Sequence, residues 1–242
     1  MSKKITIAID AMGGEDAPDK TIHGVSYFIN NYKNQDDFLI NLFGDEIKIK
    51  EKINKYKIFS KNIKIIHTSS IVSDEETPLT AIKNSKNTSM WNCIKSQLDG
   101  NSDISLSAGN TGVLLVISKM ILKTMNKVSR PALAALWPNQ KGMTVVLDLG
   151  ANIECNENNL IDFSELGSAL YKSLYPQNKP TVSLLNIGSE EIKGTDILKK
   201  AYAKLKRLSN EQNFIFNGYI EANKLMDGDS NVIVTDGIYR KC

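Results

Sequence analysis

Short runs of β-branched and aliphatic residues alternate along the chain with stretches of helical periodicity. Such alternation is the pattern of a mainly parallel sheet with crossover helices. It predicts strands at Ile5–Asp10, Phe38–Phe43, Ile63–His67, Asp103–Ser107, Met143–Asp148, Val182–Asn186 and Asn231–Thr235. Helices are expected from about Ala17, with Asp16 as cap and Pro18 in the first turn, and mostly through Thr77 to Leu98. Further helices are expected at Val113–Met125, Phe163–Tyr175 and Asp196–Leu208. There is no internal repeat, low-complexity tract or linker, so residues 1–242 read as a single α/β domain. The last strand poses a question, because a buried parallel strand needs cover on both faces. Only Thr235 to Cys242 follow it, so part of that cover is expected to be missing or to come from a neighbouring subunit.

Five of the predicted strands end in loops rich in glycine and polar residues. In an open parallel sheet, ligands bind beyond the carboxyl ends of the strands, so these loops are expected to converge on one pocket. Ser107-Ala108-Gly109-Asn110-Thr111-Gly112 lies between a strand and a helix start. Its amides and the helix dipole suit an anion, with Gly109 and Gly112 allowing close approach and Asn110 and Thr111 adding donors. The same residues also fit a plain strand-to-helix turn capped by Thr111. Asp10-Ala11-Met12-Gly13-Gly14-Glu15-Asp16 has two glycines suited to unusual backbone angles, but its acidity makes it read as a turn. Asp148 and Asn152 sit after another strand. Asn186, Glu190 and Lys193 belong to the loop after the next, where Lys193 reads as a point charge for an anion or as a solvated lysine.

Composition narrows the chemistry. A net charge of +3 over 242 residues carries no signature of nucleic-acid binding. The abundance of Lys, Asn and Ile is read as nucleotide bias in the coding genome. Cys93, Cys155 and Cys242 are widely spaced, which suggests reduced thiols in a cytosolic protein and no metal site. The N-terminus is too short and strand-like for a signal peptide, and no apolar run reaches the length of a membrane span. No Gly-x-Ser-x-Gly elbow or His-x-x-x-His is present. His67 and Cys93 read as structural residues. The chemistry is therefore expected to need neither a covalent enzyme intermediate nor a cofactor.

Taken together, the loops resemble one family. Ile-Asp-Ala-Met-Gly-Gly-Glu-Asp-Ala-Pro at 9–18, Ser-Ala-Gly-Asn-Thr-Gly at 107–112 and Arg-Pro-Ala-Leu-Ala at 130–134 are similar to signatures of PlsX-type phosphate acyltransferases of bacterial phospholipid synthesis. Leu-Asp-Leu-Gly-Ala-Asn at 147–152 and Leu-Leu-Asn-Ile-Gly-Ser-Glu-Glu-Ile-Lys-Gly at 184–194 continue the match. So do Phe-Asn-Gly-Tyr-Ile-Glu-Ala-Asn at 216–223 and Val-Thr-Asp-Gly at 234–237, with Lys-Asn-Thr-Ser-Met at 86–90 fitting more loosely. The resemblance implies a Rossmann-like α/β/α sandwich with a mainly parallel sheet, related to isocitrate-dehydrogenase-like and phosphotransacetylase folds. It also implies transfer of a fatty acyl group from acyl-[acyl carrier protein] to inorganic phosphate, giving acyl phosphate. Under it, Gly109, Asn110, Thr111 and Gly112 bind phosphate, while Lys193, Asn152 and Asp236 are the catalytic candidates. Asp10, Gly13, Gly14, Asp148, Asn186 and Glu190 order the loops or bind substrate.

The family is usually homodimeric and cytoplasmic, with peripheral contact to the membrane through its C-terminal part. Here the pattern departs after Asp236-Gly237. Ile238 to Cys242 replace a segment that normally runs Phe-Thr-Gly-Asn-Val and then into a long helix, and Lys241 stands where the family has an asparagine. The expectation is a C-terminally truncated member. Two other readings stay open: an inactive remnant that binds only acyl carrier protein or a homologous subunit, and a phosphotransacetylase-like enzyme using coenzyme A thioesters.

Overall fold

The computed structural model describes residues 4–73, 77–208 and 213–237. The tail containing Lys241 and Cys242 lies outside the described residues. The chain divides into two compact units, Met1–Lys123 and Thr124–Cys242. Among the described residues the strands form two sheets, one in each unit, where the sequence suggests one sheet in one domain. A β/α alternation looks the same whether its strands join one sheet or two. The boundary around Lys123 carries no Gly/Ser-rich linker to mark it.

In the first unit, β1 (Ile5–Asp10), β2 (Phe38–Gly44), β3 (Ile63–His67) and β4 (Ile104–Ser107) form a wholly parallel sheet in the order β3-β2-β1-β4. Helices α1 (Asp19–Asn31) and α2 (Glu46–Lys55) bury Ile22, Val25 and Ile49 against Phe38, Ile40 and Leu42 on one face. On the other face, α4 (Ser89–Leu98) sets Cys93 beside Ala8 and Phe43. Met90 and Ile94 of α4 join Val113, Ile117 and Ile121 of α5 (Thr111–Leu122) in a further cluster.

In this unit three helix starts differ from expectation for local reasons. Asp16 does not cap α1: its φ is +59°, and Pro18 holds the cap position. The Asp16 carboxylate instead pairs with Lys20 at 3.0 Å. The expected long helix from Thr77 breaks into α3 (Pro78–Asn84) and α4, with Asn87 at φ +68°. There the Thr88 hydroxyl donates to the Ser85 carbonyl at 2.7 Å and accepts from the Trp91 N–H at 3.2 Å, which starts a new helix. In α5 the cap is Asn110 rather than Thr111, since Asn110 Oδ1 accepts from the Val113 N–H at 3.1 Å.

Gly24 sits in the middle of α1, and a Cβ built there meets nothing within 4 Å. With no clash to oppose it, the helix preference for alanine decides. Gly24→Ala is expected to stabilise the protein by about 0.5–1 kcal/mol, read from chemical denaturation.

The second unit contains β5 (Ala134–Asn139), β6 (Gly142–Leu147), α6 (Glu157–Leu174), β7 (Thr181–Leu185), α7 (Asp196–Leu208), β8 (Ile215–Ile220) and β9 (Val232–Val234). The sheet order is β5-β6-β9-β7-β8, with only the β5–β6 pair antiparallel. The strand-by-strand reading misses β5 and β8. Pro138 interrupts β5, which is tolerated because β5 lies at the sheet edge. Gly218, with φ +84°, interrupts β8 where its register with β7 shifts. Helix α6 starts at Glu157 rather than Phe163, because Asn156 and Asn159 form a reciprocal capping box.

The last strand is nevertheless buried in the middle of its sheet. Strand β9 lies between β6 and β7, with its three residues buried. Val232 and Val234 pack with Leu160, Phe163 and Leu198 on one face. On the other, Ile233 packs with Val146, Leu185 and Ile220, backed by Trp137 and Leu225. On the first of these faces the cover comes from α6 and α7, helices that come earlier in the chain. Among the described residues no helix is long and apolar enough to cross a membrane.

Candidate active site

The candidate residues fall into two groups, one in each unit. In the first unit, β1 and β4 are neighbours, with Asp10 in register with Ser107, so their two loops leave the same sheet edge side by side. Asp10 is buried, and its Oδ2 accepts from the Ser107 hydroxyl at 2.7 Å while Oδ1 accepts from the Met12 N–H at 3.2 Å. The Ser107 oxygen in turn accepts from the Gly109 N–H at 3.1 Å. Burial pushes the Asp10 carboxyl up, against hydrogen bonds from Ser89 and Ser107 that favour its charged form.

This relay ties the two loops together and leaves no room between them. A Cβ at Gly13 would lie 2.6 Å from Asp10 Oδ2, 2.7 Å from Ser107 Oγ and 2.9 Å from the Gly109 nitrogen. At Gly14 the backbone φ of +91° adds a conformational demand. The Gly109 N–H is spent on Ser107, so Gly109 supplies close approach rather than a donor. Thr111 and Gly112 stand in the first turn of α5, where helix N–H groups have no intrahelical acceptor.

In the second unit, Asp148 follows β6 and is buried. Its Oδ1 accepts from the N–H groups of Leu133, Gly150 and Ala151 at 2.8, 3.2 and 2.9 Å. Its Oδ2 accepts from the Asn152 N–H at 2.8 Å and from Asn152 Nδ2 at 2.9 Å. Asn152 Nδ2 also donates to the Pro131 carbonyl at 2.9 Å, so both amide hydrogens hold the loop. The Arg-Pro-Ala-Leu and Asp-Leu-Gly-Ala-Asn motifs, distant in sequence, are thus one knot around a single carboxylate. Asp236 follows β9 and is buried, and Thr235 Oγ1 donates to the Asp148 carbonyl at 2.9 Å.

Asn186 follows β7, and its Nδ2 donates to the carbonyls of Gly188 and Lys193 at 3.1 Å each, closing the 186–194 loop. Lys193 Nζ lies 2.9 Å from Glu190 Oε1, on the surface. This pairing raises the lysine pKa and lowers that of the glutamate.

The two described cysteines are buried free thiols. Burial first, then the Asp10 charge, pushes the Cys93 thiol up to about 12. Burial, then Asp148 and Asp236, pushes Cys155 up to about 11. His67 Nδ1 accepts from the Glu46 N–H at 3.3 Å, which is a structural contact at the start of α2. Among the described residues no group of three or more His, Cys, Asp or Glu is placed to hold a metal ion.

A family model described as "Fatty acid synthesis protein" matches residues 5–240. A phosphate acyltransferase from Pelagibacter ubique is 53% identical over 237 residues, which cover 98% of this chain and 69% of the relative. The chain belongs to the phosphate acyltransferase family. A phosphate acyltransferase from Rhodospirillum rubrum is 39% identical, covering 98% of this chain and 66% of that protein. The chain thus spans about two thirds of the length of these family members. The fold matches a phosphotransacetylase from Streptococcus pyogenes with a TM-score of 0.67 at 13% identity, covering 98% of this chain and 78% of that one. For a phosphotransacetylase from Staphylococcus aureus the values are 0.64 and 17%, covering 96% and 78%. These likenesses establish the related fold. Membership of a phosphate acyltransferase family makes this an enzyme family of fatty acid and phospholipid synthesis, as the loop motifs imply.

Proposed function

We propose that the protein transfers a fatty acyl group from acyl-[acyl carrier protein] to inorganic phosphate, forming acyl phosphate. The observation that carries this reading is the glycine-packed turn formed by Gly13, Asp10, Ser107 and Gly109, ahead of the first turn of α5. That turn supports phosphate binding by Asn110, Thr111 and the α5 amides, with Gly109 and Gly112 giving close approach. Phosphate is already an anionic nucleophile near neutral pH. Its oxygen attacks the thioester carbonyl, the new C–O bond forms, the C–S bond breaks, and the thiolate leaves and takes up a proton. The protein needs mainly to hold phosphate, align the thioester and stabilise the tetrahedral oxyanion.

Lys193 is the proposed source of positive charge, with Glu190 holding its ammonium until substrate binds. Asp148, Asn152, Asn186 and Asp236 keep the loops of the second unit in shape. The proposed setting is the cytoplasm, as a homodimer like the family. Lys193→Ala is expected to lower kcat for acyl phosphate formation about 100-fold, the scale of losing one oxyanion-stabilising group. Unchanged turnover would remove Lys193 from the mechanism. Comparing acyl carrier protein with coenzyme A thioesters as donors tests the substrate class, since a preference for coenzyme A would overturn that part of the reading.

A further inference from the structure

Three exposed large apolar side chains stand on the loops that carry the candidate catalytic residues of the second unit. Ile153 is 82% exposed, Ile187 64% and Ile192 81%. Each is adjacent in sequence to a candidate: Ile153 follows Asn152, Ile187 follows Asn186, and Ile192 precedes Lys193. Single exposed apolar residues are ordinary on protein surfaces. Their concentration on two loops at one edge of one sheet is a different matter.

These isoleucines are held in place. The first loop is pinned where Asn152 donates through its backbone and side chain to Asp148, at 2.8 and 2.9 Å. The second is closed by Asn186 Nδ2 bridging the Gly188 and Lys193 carbonyls. Strand β9 separates β6 from β7, so the loops leave the sheet two strand spacings apart, about 10 Å. An apolar group fixed in water by a rigid loop is pre-organised to bind, because little freedom remains to be lost when a ligand covers it.

Resting on the acyl-transfer reading above, we propose that Ile153, Ile187 and Ile192 contact the fatty acyl chain and set the preference for long chains. Lys193 beside them suits an oxyanion. The hydrocarbon tail is the part of the substrate that calls for apolar contact. A short acyl group ends before reaching all three side chains, whereas a long one covers them. The three residues therefore discriminate by chain length and leave the chemical step alone.

The test is the triple variant Ile153→Ser, Ile187→Ser, Ile192→Ser. All three positions face water, so its thermal transition should match that of the parent. With phosphate and a palmitoyl thioester, kcat/KM is expected to fall at least about 100-fold, from roughly tenfold or more per buried isoleucine with partial overlap. With a butanoyl thioester it should stay within about twofold. Equal losses for both donors, or none with palmitoyl, overturn the proposal. Phe59→Ser, at a 93% exposed residue of the first unit, serves as a control expected to change neither. Equilibrium binding of a fluorescent long-chain fatty acid gives a readout independent of turnover. If the parent chain transfers no acyl group to phosphate, the reaction assigned above fails. Weaker binding of this probe to the triple variant would still support the chain contact, and equal binding would overturn it.

Discussion

Gly13→Ala should nearly abolish acyl transfer to phosphate while leaving the protein folded. A single added methyl at this position meets three polar atoms within 2.9 Å, two of them belonging to the Asp10–Ser107 relay. The relay must open to accept it. Because Ser107 Oγ also holds the Gly109 N–H, the turn leading into α5 shifts with it. A misplacement of about 1 Å at a reacting site costs about 100-fold in rate, so a drop of that size in phosphate-dependent kcat/KM is expected. The accompanying stability loss should be about 1–3 kcal/mol, the usual cost of overpacking a close-fitted position. Steady-state kinetics together with chemical denaturation separate the two effects. Activity within about threefold of the parent would mean that this turn does not position phosphate. Gly24→Ala is the matched comparison, a glycine with open space around it and an effect of opposite sign.

Asp148→Ala should have the largest effect on stability. The carboxylate satisfies five donors from Leu133, Gly150, Ala151 and Asn152 in a buried position. Alanine leaves those groups facing a void, and the expected loss is about 3–4 kcal/mol. For a chain of this size that lowers the thermal transition by about 10 °C. Asp148→Asn keeps the acceptor at one oxygen but turns an amide toward the Asn152 donors or the three backbone N–H groups. It should lose about half as much. A thermal transition for Asp148→Ala within about 2 °C of the parent would show that the knot is not holding the loops.

Much of this was legible along the chain because it is local. Seven strands could be placed from their apolar runs, and the polar residues at their ends are the ones that the structure sets at sheet edges. Asn110 and Thr111 were visible as a helix start, though which of them caps α5 depends on side-chain geometry. The roles of the glycines were less legible. Gly13 and Gly24 look alike in sequence, and only the neighbours they meet in space separate a forbidden methyl from a harmless one. Strands β5 and β8 were hidden because Pro138 and Gly218 interrupt the usual strand signal at an edge and at a register shift.

What the amino-acid order settled by itself was the alternation of strands and helices, the loop motifs at strand ends, and the family to which those motifs point. These depend on side-chain periodicity and on turn chemistry over a few residues. The tertiary structure decided how the strands are shared between two sheets, that β9 enters the middle of the second, and that Pro131, Leu133 and Asn152 meet at Asp148. Those outcomes rest on pairings between residues far apart in the chain, where backbone hydrogen bonding and burial choose partners that no local pattern names.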